Sequence, residues 1–390
     1  MTTIVIAPSN VANFPDGGGH FWVYMQYVHG LRRLGCEVYW LERFRRGRHP
    51  ERDAESLSVF MERMERWGLR DHLLLFASDA RTDGESAPRE YIGIERSSAE
   101  AICRRADLLL NFRYAIAPGL LALFRRTALV DIDPGLLQFW ISAGQLAVPR
   151  HDLYFTTGET VGAPGALFPD CGLSWAHIRP PVCVDRWPAV RATRDAPFTT
   201  VSSWWGGDGR GGGEWITNDD GTYHENTKRV SFLEYAELPR LTEQRLELAL
   251  GMGKGDDDDR RHLEALGWRI RHTMEVARTP EMYQSYIQRS RGEFSCAKPS
   301  CMRFQNAWIS DRTLCYLASG KPVVVQHTGP SAFLPNGEGL FRFSSVPEAV
   351  GALAAIDADY ERHCRAARDI AEAHFDATRV LGDLLSLALP

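Results

Sequence analysis

The chain has 390 residues, a hydrophobic fraction of 44% and a charged fraction of 24%, values that are ordinary for globular proteins and predict two or three domains. The formal net charge of −5 gives no reason to expect a polyanion-binding surface, so we expect no nucleic-acid partner. The eight cysteines are scattered without a Cys-x-x-Cys pair, which argues against a metal cluster or a secreted disulfide framework.

The amino-terminal segment has the character of a first strand and not of a targeting signal. Residues 3–7 are apolar and short, and no basic region precedes them. No window approaches the ~18 consecutive apolar residues that a membrane-spanning helix needs. We therefore expect a reduced, cytoplasmic protein with no integral membrane segment, and the sequence leaves its oligomeric state open.

The beginning of the chain alternates between strand and helix patterns. A strand over 3–7 leads into a glycine turn at 15–20, then into a helix over 21–35 and a second strand over 37–42. This order predicts a doubly wound α/β sheet. The three consecutive glycines, Gly17–Gly19, lack the spacing of a dinucleotide fingerprint, so an NAD-dependent dehydrogenase is disfavoured.

A later predicted strand in the first half ends in two acidic residues. The strand over 127–133 carries Asp131 and Asp133 at its end and is followed by a Pro-Gly turn. Side chains just past the carboxyl end of a parallel strand point into the crevice where ligands bind. Asp131 and Asp133 are therefore candidate site residues.

A segment with three prolines in ten residues, 179–188, predicts a linker. The strand predicted over 198–205 then restarts the α/β pattern. We predict one domain over 1–185 and a second over 186–372, followed by a final helical segment over 373–390.

The segment 290–330 has the most specific pattern in the chain. After a short strand, Lys298 lies in a loop, and a helix follows with Ser310 as its N-cap and Asp311 in its first turn. The helix ends at Gly320 and leads into an apolar strand. A helix start offers free amide groups and the positive end of a dipole, which attract a diphosphate. The segment therefore predicts half of a nucleotide-binding crevice.

Two stretches resemble one enzyme family. Residues 311–324, which read DRTLCYLASGKPVV, resemble the donor-binding segment of the GT-B glycosyltransferases. Residues 17–20, which read GGGH and are followed by GLRRLGCEV, resemble the glycine–histidine segment near the amino terminus of many such enzymes. Where the retaining members have a spaced pair of glutamates, this chain has Ala307 and Cys315, so the mechanism of that subgroup is not carried over.

The resemblance implies an α/β protein with two Rossmann-like domains that face each other across a cleft. The first domain would bind the acceptor, the second would bind a nucleotide sugar, and the helix over 373–390 would pack back on the first domain. The implied reaction transfers a hexosyl group from a nucleoside-diphosphate sugar, with UDP or dTDP expected, to a hydroxyl or amine of a small-molecule or glycan acceptor. No metal or further cofactor is implied.

His20, which follows the glycine loop, is the candidate general base. Imidazole has an ordinary pKa of about 6.5, so a small shift allows it to take a hydroxyl proton at neutral pH. Asp133 or Asp131 would orient the ring, and the resulting route would be inverting. The alternative role for His20 is a hydrogen bond to the glycine turn.

Cations near the predicted helix start would neutralise the diphosphate leaving group. Lys298 and Arg312 are the candidates, and Lys228 is a weaker one. The alternative for Lys298 and Arg312 is a solvated surface residue. The remaining predicted contacts to the nucleotide are Ser310, Asp311, Thr313, Thr328 and Gly329.

Three further features leave alternatives open. The acid run at 256–259 favours a solvated helix start over a metal site. The aromatic pairs 204–205 and 139–140 suit either a sugar or acceptor surface or the core. An NDP-sugar 2-epimerase and a non-catalytic nucleotide-binding protein of the same fold are the alternative functions.

Overall fold

A computed structural model describes residues 1–79, 88, 90–205, 215–217 and 223–389. The chain forms two compact units. Unit 1 comprises Met1–Gly162, Phe168–Pro181 and Ala377–Pro390, and unit 2 comprises Ala163–Leu167 and Val182–Asp376. The assignment of acceptor and donor to the two units stays a prediction.

The described strands are, in chain order, β1 Thr3–Ala7, β2 Glu37–Arg46, β3 Leu73–Asp79, β4 Tyr91–Ile92, β5 Leu108–Asn111, β6 Thr127–Asp131, β7 Leu153–Thr156, β8 Trp175–His177, β9 Phe198–Ser203, β10 Trp215–Thr217, β11 Tyr223–Glu225, β12 Leu246–Gly251, β13 Arg269–His272, β14 Gly292–Ser295, β15 Val323–Gln326 and β16 Leu340–Phe343. The described α-helices are α1 Gly18–Arg33, α2 Pro50–Arg66, α3 Arg96–Arg105, α4 Pro118–Leu121, α5 Leu136–Ser142, α6 Lys228–Glu234, α7 Asp257–Ala265, α8 Thr273–Val276, α9 Pro280–Arg289, α10 Pro299–Phe304, α11 Asp311–Ala318, α12 Val346–Ala358, α13 Tyr360–Ile370 and α14 Ala377–Ala388. Short 3-10 turns lie at Arg70–His72 and Leu238–Arg240, and a π-helical turn lies at Ala371–Phe375.

Unit 1 is built on an eight-stranded sheet in the order β4-β3-β2-β1-β5-β6-β7-β8. Its strands are parallel except for the antiparallel pair of β3 and β4. The strand order reverses between β1 and β5, and ligands of doubly wound sheets bind outside the carboxyl ends of the strands at such a reversal. The loops after β1 and β5 therefore form the expected binding edge of unit 1.

The last helix, α14, packs on α1 within unit 1. Gly30 of α1 makes this approach feasible, because a Cβ there would lie 2.5 Å from Leu381 Cδ1 and 2.9 Å from Ala377 Cβ. Any larger residue at this position would push the two helices apart.

Unit 2 is built on a six-stranded parallel sheet in the order β13-β12-β9-β14-β15-β16. Its order reverses between β9 and β14. Aromatic rings pack against β14: Phe294 stacks on Phe343 with ring centroids 5.4 Å apart, and the Trp268 ring is tilted against it at 5.7 Å. The predicted α/β class with parallel sheets is confirmed. The prediction missed α10, which begins at Pro299 in the stretch that the sequence suggests is a loop.

None of the helices in the described part of the chain combines the length and the apolar character needed to cross a membrane.

Candidate active site

The carboxyl edge of the unit 2 sheet contains a tight turn just before α11. Gln305 and Ala307 both have left-handed backbone, with φ of 49° and 56°. The loop after β15 holds this turn, since Ala307 N donates to Thr328 O at 3.0 Å and Thr328 Oγ1 donates to Trp308 O at 2.6 Å. Gly329 packs directly against it, where a Cβ would meet Gln305 O at 2.4 Å.

These contacts define what Thr328 and Gly329 do within unit 2. The Thr328 hydroxyl donates its hydrogen bond to the Trp308 carbonyl oxygen, and Gly329 N donates to His327 Nδ1 at 3.3 Å. Both residues therefore shape the turn that leads into α11. Their predicted contact with a diphosphate stays a prediction.

The start of α11 is capped as expected. Ser310 Oγ accepts a hydrogen bond from Arg312 N at 3.3 Å, which satisfies one of the free amides of the first turn. Ser310 and Thr313 line a cavity of about 20 Å³ together with Trp308 and residues of β14 and β15. This volume holds about one water molecule. The cavity is therefore too small for a nucleotide.

Arg312 lies inside the unit and not on its surface. Its Nε donates to Glu293 Oε1 at 2.8 Å, Nη1 to Val201 O at 2.9 Å and Nη2 to Ser295 Oγ at 2.5 Å. Burial alone would lower the pKa of Arg312, but the Glu293 carboxylate outweighs it and raises that pKa above its usual range. Because these bonds join α11 to β14 and β9, Arg312 positions the helix start. Direct contact with a phosphate stays a prediction.

Lys228 lies close to other cations at this edge. Its Nζ lies 5.7 Å from the centroid of the Trp308 ring. Burial, then the charges of Arg312 and Lys298, lower the pKa of Lys228 to about 7, while the Asp311 carboxylate opposes the shift. Three cations thus converge on one region, and such an arrangement stabilises a bound anion. The sequence supports Lys228 only weakly, yet the structure places it at the centre of the cationic group.

One hydrogen bond brings the two lysines to the same place. Asn226 is fully buried, and its Oδ1 accepts from Ser300 N at 2.8 Å, which ties the start of α6 to α10. Lys228 is the first residue of α6, and Lys298 is the N-cap residue of α10. The chain has four lysines, so two of the four lie at this edge. Sequence reasoning missed Asn226, although it stands two residues before Lys228.

His20 lies in the first turn of α1, at the binding edge of unit 1. Its Nε2 is 2.7 Å from Ser9 O, and its ring packs edge-on against Phe14 and Tyr24 at 5.8 and 5.3 Å. A carbonyl oxygen only accepts, so Nε2 carries a proton. The Ser9 carbonyl therefore helps to orient the ring. The role of His20 as general base and the orienting role of Asp133 or Asp131 stay predictions.

Asp131 is fully buried at the end of β6. It accepts hydrogen bonds from Gln138 Nε2 and Thr156 Oγ1, each at 2.9 Å, and from Asp133 N at 3.0 Å. Burial raises the pKa of Asp131 to about 6, and the bonds from Gln138 and Thr156 limit the rise. The carboxylate therefore ties together the ends of β6, β7 and α5. Asp133, the candidate orienting group, is half-buried beside it and its role stays a prediction.

A second buried acid in unit 1 escaped the sequence analysis. Glu42 is completely buried in β2, and Trp40 Nε1 donates to its Oε2 at 3.0 Å. Burial raises the pKa of Glu42 to about 7, with Trp40 and the Arg113 charge opposing the rise. Ile6 of β1 pairs with Trp40, so Glu42 is level with the chain just past the end of β1. Its signal in the sequence is a single charge at the end of an apolar strand.

Within the described residues, no three His, Cys, Asp or Glu side chains are arranged to hold a metal ion. The independence from metal that the family resemblance implies stays a prediction.

Comparison with known proteins separates sequence from fold. No protein-family model matches the chain, and a search of curated proteins finds no relative. Solved structures do match over the full length. An alpha-glucosyltransferase in complex with UDP and a 13-mer DNA with a central A:G mismatch has 9% sequence identity and a TM-score of 0.59, covering 100% of this chain and 99% of that chain.

Two further structures agree with the first. HepE of Anabaena, in complex with UDP and glucose, has 11% identity and a TM-score of 0.57 over 99% of this chain and 100% of that chain. AviGT4, a glycosyltransferase involved in avilamycin A biosynthesis, has 13% identity and a TM-score of 0.50 over 100% and 97% of the two chains. The fold is that of the GT-B glycosyltransferases. The GT-B fold predicted from residues 311–324 and 17–20 is therefore confirmed, and the low identity means that the likeness establishes the fold alone.

One prediction is wrong. The net charge of −5 led us to expect no nucleic-acid partner, but structures with this GT-B fold include alpha-glucosyltransferases in complex with DNA. The physical reason for the error is that net charge sums over the whole surface. A single face can still attract an anionic polymer when the total is negative.

Proposed function

We propose that this protein is a glycosyltransferase that moves a hexosyl group from a nucleoside-diphosphate sugar to a hydroxyl or amine of an acceptor. The observation that carries the proposal is the convergence of Lys228, Lys298 and the start of α11 at the carboxyl edge of unit 2. This edge lies where the strand order reverses, which is the usual binding position in open α/β sheets.

The arrangement suits a diphosphate leaving group. When the bond from the sugar to the phosphate breaks, negative charge develops on the phosphate oxygens. The Lys228 and Lys298 ammonium groups and the amides of the first turn of α11 would stabilise that charge. Similar structures contain UDP, which supports UDP as the nucleotide of the donor; dTDP is the other expected nucleotide.

His20 supports the acceptor half of the proposal. Its imidazole ring would take the proton of the acceptor as the acceptor oxygen or nitrogen attacks the anomeric carbon and the nucleoside diphosphate leaves. A single displacement inverts the anomeric configuration. Asp133 would stabilise the imidazolium that forms. The acceptor binds unit 1 in this proposal. Small molecules, glycans and nucleic acid are the acceptor classes to be tested in an activity assay.

We further propose that the enzyme works in the cytoplasm and without a metal. The eight cysteines are all free thiols, which supports a reducing compartment. The lysines would take the charge-neutralising role that a divalent cation has in other transferases.

Thermal unfolding with UDP, dTDP, GDP and ADP tests the donor assignment. A ligand that binds only the folded protein stabilises it by about 2.7 kcal/mol at a hundredfold excess over Kd. We expect one nucleotide to raise the Tm of the wild type and of Lys254→Met, an exposed-lysine control in unit 2, but not of Lys228→Met. The proposal fails if none of the four raises the Tm, or if Lys228→Met responds like the wild type.

A further inference from the structure

A half-exposed tryptophan lies at the carboxyl end of the central strand of unit 2. Trp204 and Trp205 follow β9 directly, and β9 borders the reversal of strand order. Trp204 is 0% exposed and belongs to the core, whereas Trp205 is 36% exposed. Single exposed apolar residues are common on protein surfaces, so the position of this ring and its contacts carry the inference.

The exposed ring is held in place from two sides. Trp205 Nε1 donates to Asp256 Oδ1 at 2.5 Å, and the Arg229 guanidinium lies 4.9 Å from the ring centroid. Arg229 is itself fixed by Asp259, with Nε to Oδ2 at 2.5 Å, and Asp259 Oδ2 also accepts from Trp204 Nε1 at 2.9 Å. Two members of the acid run, one helical turn apart, thus support the tryptophan pair.

Holding the Trp205 ring in place costs conformational entropy. Fixing an exposed side chain loses rotamer freedom, and the two acids and the arginine lose theirs with it. A rigid aromatic ring with one face against Arg229 presents its remaining surface in a constant orientation. Pre-ordered rings of this kind bind planar or flat-faced ligands with little further entropy loss.

The position of Trp205 relative to the cationic group indicates which part of a ligand it meets. The first two residues of α6 diverge, because Lys228 lies over Trp308 and Arg229 lies over Trp205. The start of α6 therefore joins the proposed diphosphate position to the Trp205 ring. The sugar attached to the diphosphate is the ligand part nearest to the reacting phosphate. The C–H face of a sugar ring suits an aromatic surface.

We propose that the exposed part of the Trp205 ring is a stacking platform for the sugar ring of the nucleotide-sugar donor. This inference rests on the proposed function and adds a specificity-determining residue to it. The acid run at 256–259, whose sequence favours a solvated helix start, acquires a role in holding that platform.

The test compares the affinities of UDP and UDP-glucose for the wild type, Trp205→Leu and Trp205→Phe. Leucine keeps apolar volume without an aromatic face, and phenylalanine keeps the face. We expect UDP affinity to stay within about twofold in Trp205→Leu. We expect a loss of about tenfold in UDP-glucose affinity in the same variant. Phenylalanine should restore most of this loss.

Two further variants protect the result from a folding artefact. Asp256→Ala keeps the indole of Trp205 but removes its hydrogen bond to Asp256. It should give a smaller loss of UDP-glucose affinity than Trp205→Leu. Asp258→Asn changes an exposed acid of the same run that pairs with Arg261 on the surface, and should behave as wild type.

Three outcomes decide the matter. An equal loss of UDP and UDP-glucose affinity in Trp205→Leu would mean that the ring meets the base, and would overturn the sugar platform while sparing the proposed function. Unchanged UDP-glucose affinity in Trp205→Leu would overturn it also. Failure of the wild type to bind any nucleoside diphosphate would overturn the proposed function itself, and the platform with it.

Discussion

Arg312 and Glu293 form a buried ion pair, with Nε and Oε1 2.8 Å apart, between the first turn of α11 and the strand β14. The arginine also reaches Val201 O in β9. Three elements of unit 2 are thus joined at the place where the diphosphate is proposed to bind. The Arg312 guanidinium, which the sequence suggests as a ligand contact, therefore holds these elements together.

The ion pair gives a stability prediction. Arg312→Met leaves the Glu293 carboxylate buried without its partner, which typically costs about 3–5 kcal/mol. The double variant Arg312→Met/Glu293→Gln should recover a large part of the loss, because no isolated charge remains. Urea unfolding measures both. The surface pair of Arg260 and Glu264 is the control, and Arg260→Ala should cost less than about 1 kcal/mol. A similarly small cost for Arg312→Met would contradict the structural role.

Lys228 gives a pH prediction. The pKa of Lys228 in the free protein is about 7, against an ordinary 10.5, so the side chain loses its charge as the pH rises through 7. A bound diphosphate favours the ammonium form and raises this pKa, so binding above pH 7 takes up a proton. We expect UDP affinity to fall between pH 7 and 9, by at most about tenfold per pH unit. Calorimetry in buffers of different ionisation enthalpy should show the proton uptake.

Lys228→Arg is the matched variant for that experiment. Its guanidinium stays charged throughout the range, so the pH dependence should flatten even if the affinity itself changes. A wild-type affinity that is constant from pH 7 to 9 would show that Lys228 does not face the phosphate.

Gly329 gives a prediction about the turn before α11. Gly329→Ala would force a Cβ to 2.4 Å from Gln305 O, at a φ of 135°, and should displace the 305–309 turn. Gly337 in the same loop has a comparable φ of 120° but nothing within 4 Å of its Cβ position. Gly337→Ala therefore carries backbone strain without the clash. We expect Gly329→Ala to weaken UDP binding by about tenfold or more, and Gly337→Ala to bind normally.

One outcome of this comparison would contradict the prediction for Gly329. If the two alanine variants lose stability equally and both bind UDP like the wild type, then the packing of Gly329 on the turn has no bearing on the site.

His20 gives a prediction about catalysis. Removing a general base typically lowers the rate by about 10²–10⁴-fold. His20→Ala should therefore lower kcat by this amount and leave the KM of the donor nearly unchanged, because the ring lies in unit 1. His49→Ala changes an exposed histidine and serves as the control. Undiminished turnover of His20→Ala, or a product with the anomeric configuration of the donor, would rule out the inverting route through this residue.

The sequence predicts the fold better than the site, and the residues show why. Ser310 as a cap, Gly320 as a stop and Val323–Val325 as a buried strand are local signals, and α11 and β15 follow them closely. The short helix α10 has no such signals and was missed.

Site geometry depends on partners far apart in the chain. Arg312 turns inward because of Glu293, 19 residues earlier, and Lys228 meets Lys298 because Asn226 binds Ser300, 74 residues later. Nothing in the local pattern around these residues indicates such pairings. The ring of His20 likewise takes its orientation from a backbone carbonyl, which any residue at position 9 would supply.

A crystal structure with a nucleoside diphosphate, chosen from the thermal panel, tests the central claim most directly. The account predicts that the diphosphate lies at the carboxyl edge of unit 2, with its oxygens within hydrogen-bond distance of Lys228 Nζ, Lys298 Nζ or a backbone amide of 310–313. Clear density for the nucleotide at any other place, with these groups untouched, would contradict it.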